Sequence, residues 1–376
     1  MAATVSVKVL SLAGEVICTL PAESSATIHG LKAQIADVRG TPVELQSLIL
    51  EDHALEDKRT LAELGWHEAV EVYLVERGID FEGHLQQLRP GVGGVRGASL
   101  PLPAEELQVV CAKARAAFLR EPMLLELEAP LTVCGTLTGC QVGLLSKLFS
   151  RFGDPGQTRY LFLGNYVNRA KYMIETITTL FLYKGELPAH VFMLRGKNDS
   201  LMLSRIYGFY DEVKRRMGGS GGVKLWKHYT EVFDCMPVCA LIQSKIFCVA
   251  SGLSPDLTSL DQIRDLPRQE VPDEGLLCDL LWSTFEPHVL GWGCKDKDVS
   301  FNFGPDIVSG FLEKHGLQSI CCSSGVVEAG YQIELDGALT ILFSAADYVG
   351  EYGNLGAVLL IDQDLQQTCV QYASTD

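Results

Sequence analysis

The stretch "YLFLGNYVNRAKYMIET", residues 160–176, joins a short apolar run to a glycine and then to apolar residues at helical spacing. It reads as a buried strand that turns and enters a helix, the unit from which α/β folds are built. The turn carries two side-chain amides, Asn165 and Asn168, and then the cation Arg169. Divalent-metal or acid–base chemistry at such a strand end asks for carboxylates or imidazoles, and amides are poor substitutes.

The segments around this unit repeat the alternation. "LLELEAPLTVCG" (124–135) and "HVFMLRG" (190–196) read as strands, and 171–183 and 201–217 as helices. Further on, "CALIQSKIFCVASG" (239–252), "YQIELDGALTILFSA" (331–345) and "GAVLLIDQDL" (356–365) read as short strands in antiparallel style. The expected architecture is an α/β sandwich of two sheets flanked by helices.

The 376 residues are 47% hydrophobic, enough for one large and one small domain. A net charge of −16 repels a nucleic-acid backbone and an anionic membrane, so proteins are the expected partners. No stretch approaches the ~20 apolar residues of a membrane span, and the first residues do not pattern as a secretory leader. The twelve cysteines fall mostly inside apolar strands without C-x-x-C spacing, which suits reduced thiols in the cytoplasm or nucleus.

Residues 1–78 form a unit of their own. "VSVKVL" and "EVICTL" flank Ala13-Gly14 as a hairpin, "TIHGLKAQIADVRG" has helical spacing and stops at Gly40, and "LILEDHALEDKRTLAELG" with "AVEVYLV" completes a small sheet. This unit resembles a ubiquitin-like β-grasp domain. It reads on from "VERGID" without a terminal Gly-Gly, so a conjugated tag is not expected, and Ile49 stands at the centre of the apolar patch through which ubiquitin meets receptors. Ser47 and His53 replace the basic neighbours of that patch. After "IDFEGHLQQL", which has helical spacing, residues 89–103 are Gly- and Pro-rich and read as a loop.

Residues 79–376 resemble the catalytic domain of the serine/threonine phosphoprotein phosphatases, nearest to protein phosphatase type 1, a metallophosphoesterase-like two-sheet sandwich. The likeness runs through "LLELEAPL", "SRIYGFYDEVKRR", "KLWKHYTEVFDCMP", "SGLSPDLTSLDQIRDLPR" and "VPDEGLLCDLLWS". The resemblance implies a dinuclear metal site, but the motifs that would carry it are altered. For G-D-x-H-G the chain has "GTLTG", which places Thr136 and Thr138 at ligand positions. For G-D-x-V-D-R-G it has "GNYVNRA", with Asn165 at the bridging carboxylate and Asn168 at the acid that orients the proton donor. For G-N-H-E it has "GKNDS", with Lys197 at a ligand position, Asn198 at the proton donor and Asp199 at the glutamate. Ala250 and Ser324 stand at the last two histidines.

Neutral amides and hydroxyls do not offset the desolvation of two divalent ions, and Asn198 cannot release a proton at a useful pKa. The expectation is therefore a chain that is not an enzyme: an inactive phosphatase homologue, without metal or cofactor, serving as a protein-binding scaffold or regulatory module. The alternatives are residual phosphoprotein phosphatase activity with an altered metal site, in which Asp199, Asp347 and the thiols of Cys134, Cys140 and Cys322 could hold a different ion, and a structural subunit of a larger assembly. The resemblance also marks Arg169, Lys197 and Lys297 for phosphate binding, unless they are solvated or paired with Asp199 and Asp347. It marks Ile246, Ile333 and Leu365 for docking of regulators through a short apolar motif, unless they are strand core. Ubiquitin receptors are the other partners it suggests.

Overall fold

The computed structural model describes residues 4–375 apart from 13, 40, 52, 77, 89–100, 141–142 and 295–298. Ala13, Gly40, Lys297 and most of the Gly- and Pro-rich stretch 89–103 therefore lie outside the described residues.

In the first unit, strands Thr4–Leu10 and Val16–Glu23 pair antiparallel, and Thr4–Leu10 pairs parallel with Val70–Glu76 at the centre of a five-stranded sheet. Helix Ile28–Arg39 lays Ile28, Leu31 and Ile35 on the inward residues Val5, Val7, Leu48, Val72 and Leu74, the β-grasp arrangement. The alternation of buried and exposed residues along Val70–Glu76 is what a sheet with one wet face requires. Leu45 then packs on Val109 and Ala112 of helix Ala104–Leu119, with Ile79 beside them, and joins this domain to the next.

The second unit stacks two mixed sheets. One has the order Tyr331–Glu334, Leu339–Leu342, Ser319–Cys322, Ile246–Val249, Cys239–Ile242, Leu124–Leu127; the other runs Gln367–Tyr372, Gly356–Ile361, Leu131–Cys134, Tyr160–Phe162, Val191–Met193. Leu125, Val133, Leu161, Cys248, Cys321 and Leu359 interdigitate between them. Helices Ala104–Leu119, Met173–Glu186 and Gly219–Phe233 cover the outer face of the second sheet. Leu276–Trp282 and Pro305–His315 cover the first. The expected sandwich with flanking helices is present.

Three local expectations change. "LLELEAPLTVCG" divides at Pro130 into Leu124–Leu127 and Leu131–Cys134, which enter different sheets, because proline has no N–H to give to a ladder. The helix expected over 201–217 is two, Leu201–Ile206 and Phe209–Met217, separated by Gly208 at φ +104°. The later strands are not all antiparallel: Ile246–Val249, Ser319–Cys322 and Leu339–Leu342 run parallel, since helix Pro305–His315 crosses over between the first two.

The helix that leaves the 160–176 turn is anchored by a buried ion cluster. Arg216 Nη2 lies 2.6 Å from Glu175 Oε1, Arg216 Nη1 lies 2.8 Å from Glu212 Oε1, and Glu212 Oε2 accepts the Met173 amide at 3.1 Å. Truncating the cation leaves two buried carboxylates uncompensated. Arg216→Ala is expected to lower the free energy of unfolding by roughly 3–5 kcal/mol in denaturant titrations. A loss below about 1 kcal/mol, the value of an exposed pair, would show that the cluster does not anchor the helix.

Candidate functional site

The strand Tyr160–Phe162 ends two residues before Gly164, and the strand Val191–Met193 ends three residues before Gly196. A Cβ on Gly164 would stand 2.5 Å from the Gly196 nitrogen, and one on Gly196 would stand 2.4 Å from the Asn165 nitrogen, so both glycines are needed for the two loops to touch. Between them sits the wholly buried Asp199. Its carboxylate accepts the amides of Asn165 (2.7 Å), Tyr166 (2.8 Å) and Gly196 (2.9 Å).

Pinned in this way, the chain passes through left-handed backbone at Asn165 (φ +61°), Asn168 (φ +79°), Arg169 (φ +57°) and Tyr172 (φ +65°). Asparagine tolerates that region, whereas arginine and tyrosine are held there against their preference. The Arg169 guanidinium lies 4.6 Å from the centre of the Tyr207 ring, and Lys197 Nζ lies 5.0 Å from that of Trp282. Both cations are held by aromatic faces.

These side chains open on a cleft of about 250 Å³. Thr136, Thr138, Asn165, Lys197, Asn198 and Ser324 all line it, as does Arg169, so the structure brings together nearly every position picked out from the sequence. Ala250 is buried and does not reach it, and the buried Asn168 lies behind Asn198. Tyr207, Trp282 and Ser323 also line the cleft and were not singled out from the sequence; each arrives from a separate segment, and no local pattern distinguished them from framework.

A hydrogen-bonded network occupies the floor. Thr138 Oγ1 lies 2.9 Å from the carbonyls of Asn165 and Val167, and Asn198 Nδ2 donates to it at 3.0 Å. Asn165 Nδ2 donates to Thr136 Oγ1 at 3.3 Å, and the Thr136 amide donates to Ser323 Oγ at 2.6 Å. Asn168 Nδ2 donates to Asn198 Oδ1 at 3.3 Å, an amide pair that orients Asn198 but offers no transferable proton.

The two divalent ions implied by the family resemblance do not fit this donor set. The wall supplies neutral hydroxyls and amides together with the cation Lys197, and Asp199 is committed to three backbone amides. Among the described residues no group of three or more His, Cys, Asp or Glu could hold a metal ion. The thiols of Cys134, Cys140 and Cys322 are buried and do not line the cleft; burial pushes Cys140 up to about 11, Cys322 up to about 12 and Cys134 further.

Among the expected docking residues, Ile246 is wholly buried between the sheets and is removed from that role, while Ile333 is 54% exposed and Leu365 is partly buried at the sandwich edge. Ile49 is half-buried in the small sheet, opposite Ala54 and Tyr73. Among the described residues no helix is long and apolar enough to cross a membrane.

A sandwich with its chemistry at strand ends defines a class, and the comparisons agree with it. The model of the calcineurin-like phosphoesterases matches residues 138–323, that of the serine-threonine protein phosphatase N-terminal domain matches 85–128, and that of the ubiquitin family matches 5–78. The chain carries a ubiquitin-family domain followed by a serine/threonine protein phosphatase domain of calcineurin-like phosphoesterase fold. It is similar to a solved protein serine/threonine phosphatase from Saccharomyces cerevisiae, itself described as similar to human phosphatase PP5. That match has a TM-score of 0.67 and 27% identity and covers 72% of this chain and 90% of the yeast chain. The expectation that the chain is not an enzyme is overturned here: two phosphatase family models and a phosphatase structure match it, and they point to an enzyme.

Asp199 gives the site a pH signature. Its burial pushes the carboxyl up from 3.8 to about 6, against the pull of the three amides and of Arg195. A carboxyl whose folded pKa is raised holds its proton more tightly when folded. Its contribution to stability is therefore complete below about 3.8 and falls as the pH rises through about 6. Relative to Asp199→Asn, which does not titrate, the wild-type chain is expected to lose on the order of 2 kcal/mol between pH 4 and 7. Melting temperatures of the two proteins across that range check it, and a difference that grows in favour of wild type with rising pH would overturn it.

Proposed function

We propose that the chain takes phosphorylated serine and threonine residues of partner proteins into the strand-end cleft and hydrolyses them slowly, as a serine/threonine phosphoprotein phosphatase with an altered site. One observation carries the reading. Two cations, Arg169 and Lys197, line the same cleft, each laid on an aromatic ring, and no carboxylate lines it among the described residues.

A phosphate monoester is a dianion with acceptor oxygens only, and it is held by charge-assisted hydrogen bonds from a guanidinium and an ammonium. Cations fixed beforehand also stabilise charge that develops as water attacks phosphorus. Thr138, Asn165 and Asn198 hold one another in place beside them and can orient the ester. The leaving alkoxide must find its proton in solvent, because the amide of Asn198 cannot donate one at neutral pH; turnover is slow for that reason.

The partners we propose are proteins of the cytoplasm or nucleus. Regulators with a short apolar motif would meet the chain at Ile333 and Leu365, and ubiquitin receptors would meet it near Ile49.

Phosphate release from phosphoserine and phosphothreonine peptides, followed at high protein concentration, tests the reading. Wild type is expected to release phosphate slowly, and Arg169→Ala with Lys197→Ala to reduce the rate by about a hundredfold or more. Equal rates for wild type, the double variant and buffer would overturn it.

A further inference from the structure

The helix Phe209–Met217 and the turn 169–173 enclose a second and larger groove, of about 890 Å³, beside the phosphate cleft. The two share a wall made by Arg169 and Tyr207. The groove has a charge of its own. Arg169, Lys171, Lys214 and Arg215 line it and are all exposed, while among the described residues the one exposed carboxylate of the lining is Asp211. Glu212 also lines it but is buried and tied to Arg216, so it does not cancel the rim. In a chain of net charge −16 this is a local positive surface placed against a site for an anionic group.

We infer that this groove binds an acidic segment of the partner protein adjacent to its phosphorylated residue. The inference rests on the phosphoprotein reading above and gives the substrate class: phosphoserine or phosphothreonine followed or preceded closely by aspartate and glutamate. Lys171 and Lys214 supply the ion pairs, with the Lys214 ammonium 5.4 Å from the centre of the Tyr210 ring. Arg169 serves both compartments, since its guanidinium lies on the wall between them. The occupant is an acidic peptide and not a nucleic acid because of range. Charges act over about 8–10 Å at physiological salt, so a short acidic segment meets only the positive rim, whereas a long polyanion also meets the field of a chain whose net charge is −16.

Fluorescence anisotropy with the full chain tests this on three matched peptides: phosphoserine with acidic flanks, phosphoserine with alanine flanks, and the acidic sequence without phosphate. Wild type is expected to bind the acidic phosphopeptide about tenfold more tightly than the alanine one at low salt, as a few rim ion pairs allow. Lys171→Gln with Lys214→Gln, both exposed, should abolish that preference while lowering the affinity for the alanine phosphopeptide by a much smaller factor. Equal affinity of wild type for the two phosphopeptides overturns the groove proposal and leaves the phosphate cleft standing. Binding of the acidic sequence with and without phosphate alike supports the groove and overturns the cleft. Displacement of the acidic phosphopeptide by a single-stranded oligonucleotide at equal charge concentration overturns the assignment to an acidic protein segment.

Discussion

The hydrogen bonds from three backbone amides to the buried carboxylate of Asp199 hold the functional end of this molecule together. They tie the loop after Tyr160–Phe162 to the loop after Val191–Met193, and they do so where two glycines let the backbones approach. Without that tie nothing would oblige Arg169 and Tyr172 to accept left-handed backbone, and Arg169 would not be delivered to the mouth of the cleft. A carboxylate can satisfy three donors at once, which a neutral side chain of the same size cannot, and this explains an acid kept in a site otherwise lined without acids.

The chemistry above that tie differs from the chemistry below it. Hydroxyls and amides bind one another across the cleft floor, where a metallophosphoesterase would gather acids around two ions. Like-charge repulsion between such acids is absent, and the positive charge of the site comes from side chains instead. Arg169 and Lys197 occupy that role, held by Tyr207 and Trp282. In the function proposed above, side-chain cations grip the phosphate without generating a hydroxide nucleophile, which separates recognition from hydrolysis in strength. The ubiquitin-family domain sits away from this cleft, packed through Leu45 on helix Ala104–Leu119.

Much of this was legible in the residues. The apolar run 160–163 followed by glycine and helical spacing named the strand, the turn and the helix, because burial imposes those periods directly. The β-grasp unit and the two-sheet sandwich were legible for the same reason. The motifs at 135–139, 164–170 and 196–200 placed Thr136, Thr138, Asn165, Lys197 and Asn198 at one site, and the structure gathers them there. What a short apolar stretch could not reveal was which sheet it joins. Leu124–Leu127 and Leu131–Cys134 look like one strand until Pro130 interrupts the ladder, and Ile246 looks as available for docking as Ile333 until a second sheet covers it.

The sequence by itself determined most of the element types, the family likeness and most of the positions that line the cleft, since these follow from local periodicity and from motif spacing. Only the tertiary structure decided that Asp199 faces backbone amides and not the cleft, that Lys197 lies on Trp282 some 85 residues away, and that Arg169 stands between two compartments. Those facts depend on which residues meet across long chain separations. Such meetings are set by how the sheets and helices pack, and no window along the chain contains them.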